Sequence, residues 1–266
     1  RGRPATGRVL SPRVMRRASQ TTILALLALA LTGSASAQSG QVLWPGLTFT
    51  RGVQFTPNGP VALRILTGPR PGGLTALEPV LPGGVLTRRE TLTAMQRQLG
   101  GTATAAGVNG DFFTWRTGEP TGIVMRDAQL LRPPFATRSS LGVASDGTID
   151  IQRIAFFGTW KGTGTAHVLT ELNKVPAAGG AALFTRAWGP STPRLPGSTA
   201  AVLLPFPPAT PNTDLASFVA STSTRPSVEI PAGGAVLVAR GGAAAKLRAE
   251  GPVGAPLTVQ LILRPD

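Results

Sequence analysis

The residues best suited to chemistry are concentrated between positions 107 and 122. This segment holds an asparagine, Asn109, and two acidic residues, Asp111 and Glu119, among several glycines. A carboxylate can act as an acid or a base, and an amide can both donate and accept hydrogen bonds. We therefore predict Asp111, Asn109 and Glu119 as candidate catalytic residues.

The same segment is rich in aromatic side chains, which can stack on sugar rings or form an apolar wall. An apolar run, residues 102–108, leads directly into Asn109 and Gly110, which favour a tight turn at a strand end. A strand end would hold the polar and aromatic groups at the edge of a rigid sheet. The predicted substrate-binding residues are Gly110, Phe112, Phe113, Trp115 and Arg138.

A purely structural interpretation of this segment is open as well. Asn-Gly is the commonest signal for a short hairpin turn, and Phe112 and Phe113 could simply belong to the core. Glycoside hydrolysis, in contrast, uses two carboxyl groups a few ångströms apart. Among the twelve acidic residues, Asp111 and Glu119 form the pair that lies close together across a glycine-rich loop.

Several other classes of site lack the residues that they need. The chain has no cysteine, and His167 is its single histidine, in a strand-like run without acidic residues at ligand spacing. A histidine-based metal site, a catalytic triad and a disulfide framework are therefore not supported. We predict no metal and no cofactor. A bound anion would use backbone amides around Gly110 and arginines such as Arg116 or Arg138.

The charge of the chain is strongly basic but dispersed. The formal net charge is +14, of which the first 37 residues contribute six arginines and no acid. The remaining arginines are scattered singly, whereas a nucleic-acid-binding protein usually clusters its cations on one face. We therefore predict that nucleic acid is not a partner.

The N-terminal segment has the features of a secretory signal. Three arginines precede the apolar run from Ile23 to Leu31, and Ala35-Ser36-Ala37 supplies small residues for cleavage after Ala37. A helix of that run is only about 13 Å long, too short for a hydrocarbon core of about 30 Å. We expect export to the periplasm or the cell exterior, no stable membrane span after cleavage, and one mature domain from residue 38 to 266.

The pattern of the mature chain predicts an α+β fold, rich in strands, with mixed or antiparallel sheets. The clearest helix runs from Arg88 to about Leu99, because Thr87 and Glu90 resemble a capping box and apolar residues follow at helical spacing. Asp146-Gly147 predicts a hairpin tip. A second helix is predicted from Ala243 to Glu250. Predicted strands are 47–55, 61–66, 74–81, 102–108, 123–125, 140–144, 149–151, 154–157, 167–172, 181–185, 200–204, 236–239 and 257–263.

Several segments together resemble the phosphodiester glycosidase family, which includes N-acetylglucosamine-1-phosphodiester α-N-acetylglucosaminidase. The resemblance covers roughly residues 74 to 263, and its core is Asn-Gly-Asp-Phe-Phe. The segments that carry it are Val108–Phe113, Gly118–Ile123, Arg138–Val143, Asp146-Gly147, Asn173, Gly179–Thr185, Trp188–Thr192, Ile230-Pro231 and Val236–Val238.

The resemblance implies an enzyme that hydrolyses the glycosidic bond of a sugar 1-phosphodiester and leaves a phosphomonoester on the other product. It places Asn109 and Asp111 in the substrate pocket, shaped by Phe112 and Phe113. The sequence departs from the family in one respect. An Asp-Gly-Arg segment and an Asn-Leu-Asp-Gly-Gly-Gly-Ser run, which supply much of the family's active site, do not occur here.

From this departure we expect a fragment lacking sequence at both ends, with an incomplete fold, an incomplete catalytic site and a sheet edge open to further strands. Such a fragment would be inactive alone. Two alternatives stay open beside the hydrolase. One is a non-catalytic exported module that binds envelope polysaccharide through Trp115 and the neighbouring phenylalanines. The other is a basic adhesin for anionic polymers, whose binding would fall steeply with salt.

Overall fold

The structure, a computed structural model, describes residues 40–73, 75–99, 106–135 and 138–266. The described residues divide into two compact units, with the boundary between Gly68 and Pro69. The predicted signal peptide lies outside the described residues, and the boundaries of the mature domain stay a prediction. Within the described ranges, no helix is long and apolar enough to cross a membrane.

The described part of the first unit is a three-stranded antiparallel meander. Its strands are β1 (Gly40–Trp44), β2 (Leu47–Thr56) and β3 (Gly59–Thr67). The turn between β2 and β3 follows from Pro57 and Asn58, and Gly59 adopts a φ of 111° that favours glycine. The predictions of β2 and β3 are confirmed, whereas β1 was not predicted.

The second unit contains eleven of the described strands and two α-helices. The helices are α1 (Leu92–Gln98) and α2 (Gly241–Glu250), and Pro82–Gly84 forms a 3₁₀ turn. The strands are β4 (Val124–Arg126), β5 (Gln129–Arg132), β6 (Ser139–Val143), β7 (Ile149–Lys161), β8 (Ala166–Leu169), β9 (Glu171–Leu172), β10 (Ala181–Thr185), β11 (Thr199–Leu203), β12 (Asp214–Ser223), β13 (Ala235–Ala239) and β14 (Pro256–Pro265).

Nine of these strands form one sheet, in the order β6-β7-β14-β12-β11-β13-β10-β9, with β8 paired to β7. All of its pairs are antiparallel except that of β9 with β10. β4 and β5 form a separate hairpin. The predicted hairpin at Asp146-Gly147 is confirmed, since it joins β6 to β7. Pairing of further strands at a sheet edge stays a prediction.

The centre of the sheet is buried on both faces, which explains the continuous apolar runs of β10 and β13. Leu183 and Leu237 belong to the larger core cluster, whereas their neighbours Phe184 and Val236 belong to a second cluster. Successive side chains of a strand point to opposite faces, so both faces need apolar residues here. The larger cluster also receives Leu247 from α2.

The predicted α+β class is wrong, because the fold is largely β. Fourteen strands stand against two α-helices in the described residues, and the helices span seven and ten residues. Such short helices do not form a layer of their own. α2 buries only Ala244 and Leu247, and α1 has no buried residue.

The first helix begins later than predicted. α1 starts after Thr91, whose side chain accepts a hydrogen bond from the amide of Ala94 at 3.2 Å. Thr87 does not cap it, because its hydroxyl donates to the carbonyl of Trp188 at 2.9 Å. Glu90 pairs instead with Arg88 and contacts Gln98. A long-range contact therefore replaces the predicted capping box.

Two predicted strands need correction. Residues 106–108 are not in a strand, and the rest of the predicted strand, residues 102–105, lies outside the described residues. The predicted strand 74–81 is also wrong, since its described residues make only an isolated bridge between Gly72 and Thr75. Conversely, β5 and β12 were not predicted.

Candidate functional site

The segment that the sequence singled out is an irregular loop over residues 106–122. We call it the Asp111 loop. Asn109 and Gly110 are exposed and belong to no helix or strand. Further along, the loop doubles back on itself: Thr114 donates its amide to Glu119 at 2.8 Å, and Thr121 donates to Phe112 at 2.9 Å.

Two glycines of this loop stand where a side chain would not fit. Gly118 has a φ of 81°, and a Cβ there would overlap the backbone carbonyl of Arg88. A Cβ at Gly122 would overlap Oδ2 of Asp111. At Gly118 the close atoms are backbone, so the loop depends on glycine there. At Gly122 the close atom is the end of the Asp111 side chain, so glycine leaves room for the carboxylate in its present position.

Asp111 is held by one arginine and by its own backbone. Its Oδ1 accepts from the amide of Phe112 at 2.7 Å and lies 2.7 Å from Nη2 of Arg138. The other end of the guanidinium, Nη1, donates to the hydroxyl of Thr121 at 3.2 Å. The fold thus brings Asp111 and Arg138, two of the predicted site residues, into one partly exposed ion pair.

The aromatic side chains of the loop are exposed, and two of them make cation–π contacts with arginines. The guanidinium of Arg138 lies 5.2 Å from the ring centre of Phe112, and that of Arg89 lies 5.1 Å from Trp115. Phe113 stacks on Trp115 with 5.7 Å between the ring centres. Exposed aromatic rings with cations above them can contact both an apolar ring face and an anionic substituent.

Glu119, the other predicted carboxylate, binds a different arginine. Its Oε2 lies 3.3 Å from Nη1 of Arg132, which is buried. Burial lowers the pKa of Arg132, and the charge of Glu119 and its hydrogen bond oppose this shift. The structure therefore engages Glu119 in an internal ion pair, apart from the arginine that holds Asp111.

Arg132 is joined to a buried polar network centred on Asn173. Nη1 of Arg132 donates to the Asn173 carbonyl at 2.5 Å. The Asn173 amide group donates to the carbonyl of Leu131 at 2.8 Å and accepts from the amide of Thr185 at 2.8 Å. Asn173 has a φ of 47°, which asparagine tolerates better than most residues. This network ties the Asp111 loop, through Glu119, to the main sheet.

Arg132 was missed by the sequence analysis. The available signal was an arginine directly after the apolar pair Leu130-Leu131 of a short strand, where a charge has to find a partner if it is buried. His167 was assigned no role, and its Nε2 lies 2.8 Å from Oε2 of Glu250, next to Trp160. Within the described ranges, no three histidine or acidic side chains group as metal ligands would.

Comparison with known proteins gives relatives by structure alone. No family model and no curated protein matches the chain. Its fold is similar to that of a "hypothetical protein from Synechocystis", with a TM-score of 0.67 and 20% identity over 87% of this chain. It is also similar to a "putative exported protein" of Burkholderia pseudomallei K96243, with a TM-score of 0.55 and 21% identity over 70% of this chain. The matches cover 42% and 43% of those two chains, so this chain spans less than half their length.

Proposed function

We propose that the Asp111 loop and Arg138 form part of a site that hydrolyses the glycosidic bond of a sugar 1-phosphodiester. The observation that carries this proposal is the exposed ion pair between Asp111 and Arg138 beside Phe112. A guanidinium is well suited to a phosphate, and an aromatic ring to a sugar face. The carboxylate is available to act on water or on the anomeric carbon.

This reaction can proceed with a single catalytic carboxylate. Water adds to the anomeric carbon and gives its proton to the Asp111 carboxylate, the bond from that carbon to the phosphate oxygen breaks, and the free sugar and a phosphomonoester result. A departing phosphomonoester has a second pKa of about 6, so it leaves without the strong protonation that an alcohol needs. Arg138 can neutralise its growing charge. Glu119 is not required as the acid, in agreement with its pairing to Arg132.

Export belongs to the same proposal. The N-terminal pattern that resembles a signal peptide favours a periplasmic or extracellular protein that meets envelope sugars. The name of the Burkholderia structure refers to export of that protein, and it supports this placement through the shared fold. We propose that the described residues of this chain supply the sugar-phosphate part of the site.

The test is turnover of methyl N-acetylglucosamine 1-phosphodiester by the longest form of the protein that its reading frame encodes. We expect Asp111→Asn to lower the rate of sugar release by about 10² to 10⁴. Asp150→Asn is a matched control, because Asp150 also accepts from the next backbone amide, at 2.8 Å, but makes no ion pair in the described part of the chain. Equal rates for both variants would refute the hydrolase.

A non-catalytic module that binds envelope polysaccharide is the second candidate. It is favoured by the exposure of Phe112 and Trp115, which are 75% and 76% accessible. Such a module would release no sugar, and Asp111→Asn would keep most of its affinity. The same assay, combined with a binding titration, therefore separates the two functions.

A further inference from the structure

A cleft of about 400 Å³ opens in the second unit, lined by residues that the proposed site does not use. Its volume falls in the range of sites for small molecules. We call it the hairpin cleft, because the β4–β5 hairpin forms one side. The residues that matter for its chemistry are Arg126, Gln129, Arg186, Phe206, Gly233 and Gly234.

The hairpin side of the cleft presents two polar side chains together. Asp127 and Ala128 at its tip have φ values of 52° and 58°, typical of a tight two-residue turn. Arg126 and Gln129 are paired directly across this turn. Residues opposite each other in an antiparallel pair project to the same face, so the guanidinium and the amide can reach one ligand.

The other walls are tied to one another and to the hairpin by hydrogen bonds. The amide of Phe206 donates to Gly233 at 2.8 Å, and the amide of Leu130 donates to Ala209 at 2.9 Å. Nη1 of Arg186 donates to the carbonyl of Ile230 at 3.2 Å. These bonds fix the walls in advance, which lowers the cost of ordering them around a ligand.

Both arginines retain hydrogen-bond donors for a ligand. Within the described residues, Arg186 has no partner other than the Ile230 carbonyl, and Arg126 has only the exposed Asp127, whose Oδ2 lies 3.5 Å from its Nε. A guanidinium has five N–H donors, so most of them are free in each case. Two cations against one acid leave the cleft with a positive surplus beside an aromatic ring.

We propose that the hairpin cleft binds a sugar-sized anion, with Arg126 and Arg186 on its carboxylate or phosphate and Phe206 against its ring. Charge-assisted bonds from two arginines supply the affinity, and Gln129 offers a further bond to a hydroxyl group. This site is independent of the Asp111 loop and shares no residue with it.

The experiment is a calorimetric titration of the 266-residue chain with glucuronate, glucose 1-phosphate and glucose. We expect both anions to bind, glucose to bind far more weakly, and affinity for the anions to fall with salt. The double variant Arg126→Gln with Arg186→Gln should weaken anion binding by about tenfold or more for each arginine, since each loses a charge-assisted bond.

Two controls separate this site from general charge and from the Asp111 loop. Arg153→Gln with Arg264→Gln removes the same charge from exposed strand positions, and Arg138→Gln removes the arginine of the proposed active site. Both control variants should bind the anions more tightly than the double variant of the cleft does. Equal loss in the paired strand control, equal affinity for glucose, or no binding of either anion at millimolar concentration would overturn the proposal.

Discussion

Two of the arginine–carboxylate pairs in the described residues share the Asp111 loop but differ in their surroundings. Arg132 and Glu119 lie 3.3 Å apart with side chains that are 8% and 17% accessible. Arg138 and Asp111 lie 2.7 Å apart with side chains that are 40% and 28% accessible. Both carboxylates belong to the Asp111 loop, so one short segment contributes an internal pair and an exposed pair.

The difference in burial determines which ion pair is accessible to a substrate. Arg132 donates into the Asn173 network. Burial lowers its pKa, and the charge of Glu119 opposes this shift. A buried charge without its partner is costly, so the internal pair is committed to the fold. The exposed pair contributes less to the stability of the fold than the internal pair does, but solvent and ligands can reach it.

The largest expected effect comes from breaking the internal pair. Arg132→Met should lower the free energy of unfolding by about 3 to 5 kcal/mol, because Glu119 and the Asn173 carbonyl lose their partner. Arg138→Met should change it by about 1 kcal/mol or less. Urea denaturation of the two variants measures both values. Similar losses in both would erase the distinction between the pairs.

A smaller change sharpens the role of the exposed pair. Gly122→Ala places a Cβ against Oδ2 of Asp111, so the carboxylate has to move while the flexible side chain relieves the overlap. We expect sugar release to fall by about 10², with stability changed by about 0.5 kcal/mol or less. Gly142→Ala is the control, because its Cβ would meet no atom within 4 Å. Unchanged turnover in Gly122→Ala would show that the position of Asp111 is unimportant.

The smallest expected effect concerns Asp146, a carboxylate that forms no ion pair with an arginine among the described residues. Asp146 accepts from the amide of Thr148 at 2.9 Å, and the hydrogen bonds from Thr148 lower its pKa. A carboxyl group whose pKa is lower in the folded than in the unfolded state stabilises the fold at pH values above its unfolded-state pKa. This stabilisation is lost as the pH falls through its folded-state pKa. Asp146→Ala should therefore have a slightly lower melting temperature than the wild type at pH 7. The difference in melting temperature between the two proteins should shrink as the pH decreases, and a difference that grows would contradict this expectation.

The sheet was predictable where burial alone decides the residue types. β10 and β13 are short apolar runs, buried on both faces, and their predicted positions agree closely with the structure. β12 was missed because its serines and alanines alternate with few large apolar residues. The start of α1 was misplaced because Thr87 is recruited by Trp188, a contact that only the folded chain reveals.

The candidate site was predictable in its residue types but not in its pairing. Asp111, Phe112 and Arg138 were selected from the sequence, and the fold brings them together. Glu119 was selected by its closeness to Asp111 along the chain. Its actual partner is Arg132, which the packing of β5 against Asn173 brings into place. The sequence around Glu119 does not indicate that packing.

The most direct test compares one substitution from each pair in a binding titration with methyl N-acetylglucosamine 1-phosphodiester. The 266-residue chain, Arg138→Gln and Glu119→Gln are titrated at a temperature where circular dichroism shows each to be folded. We expect Arg138→Gln to weaken binding by about tenfold or more, since it loses the charge-assisted contact to phosphate, whereas Glu119→Gln should retain the affinity. Loss of binding in Glu119→Gln with normal binding in Arg138→Gln would contradict this prediction.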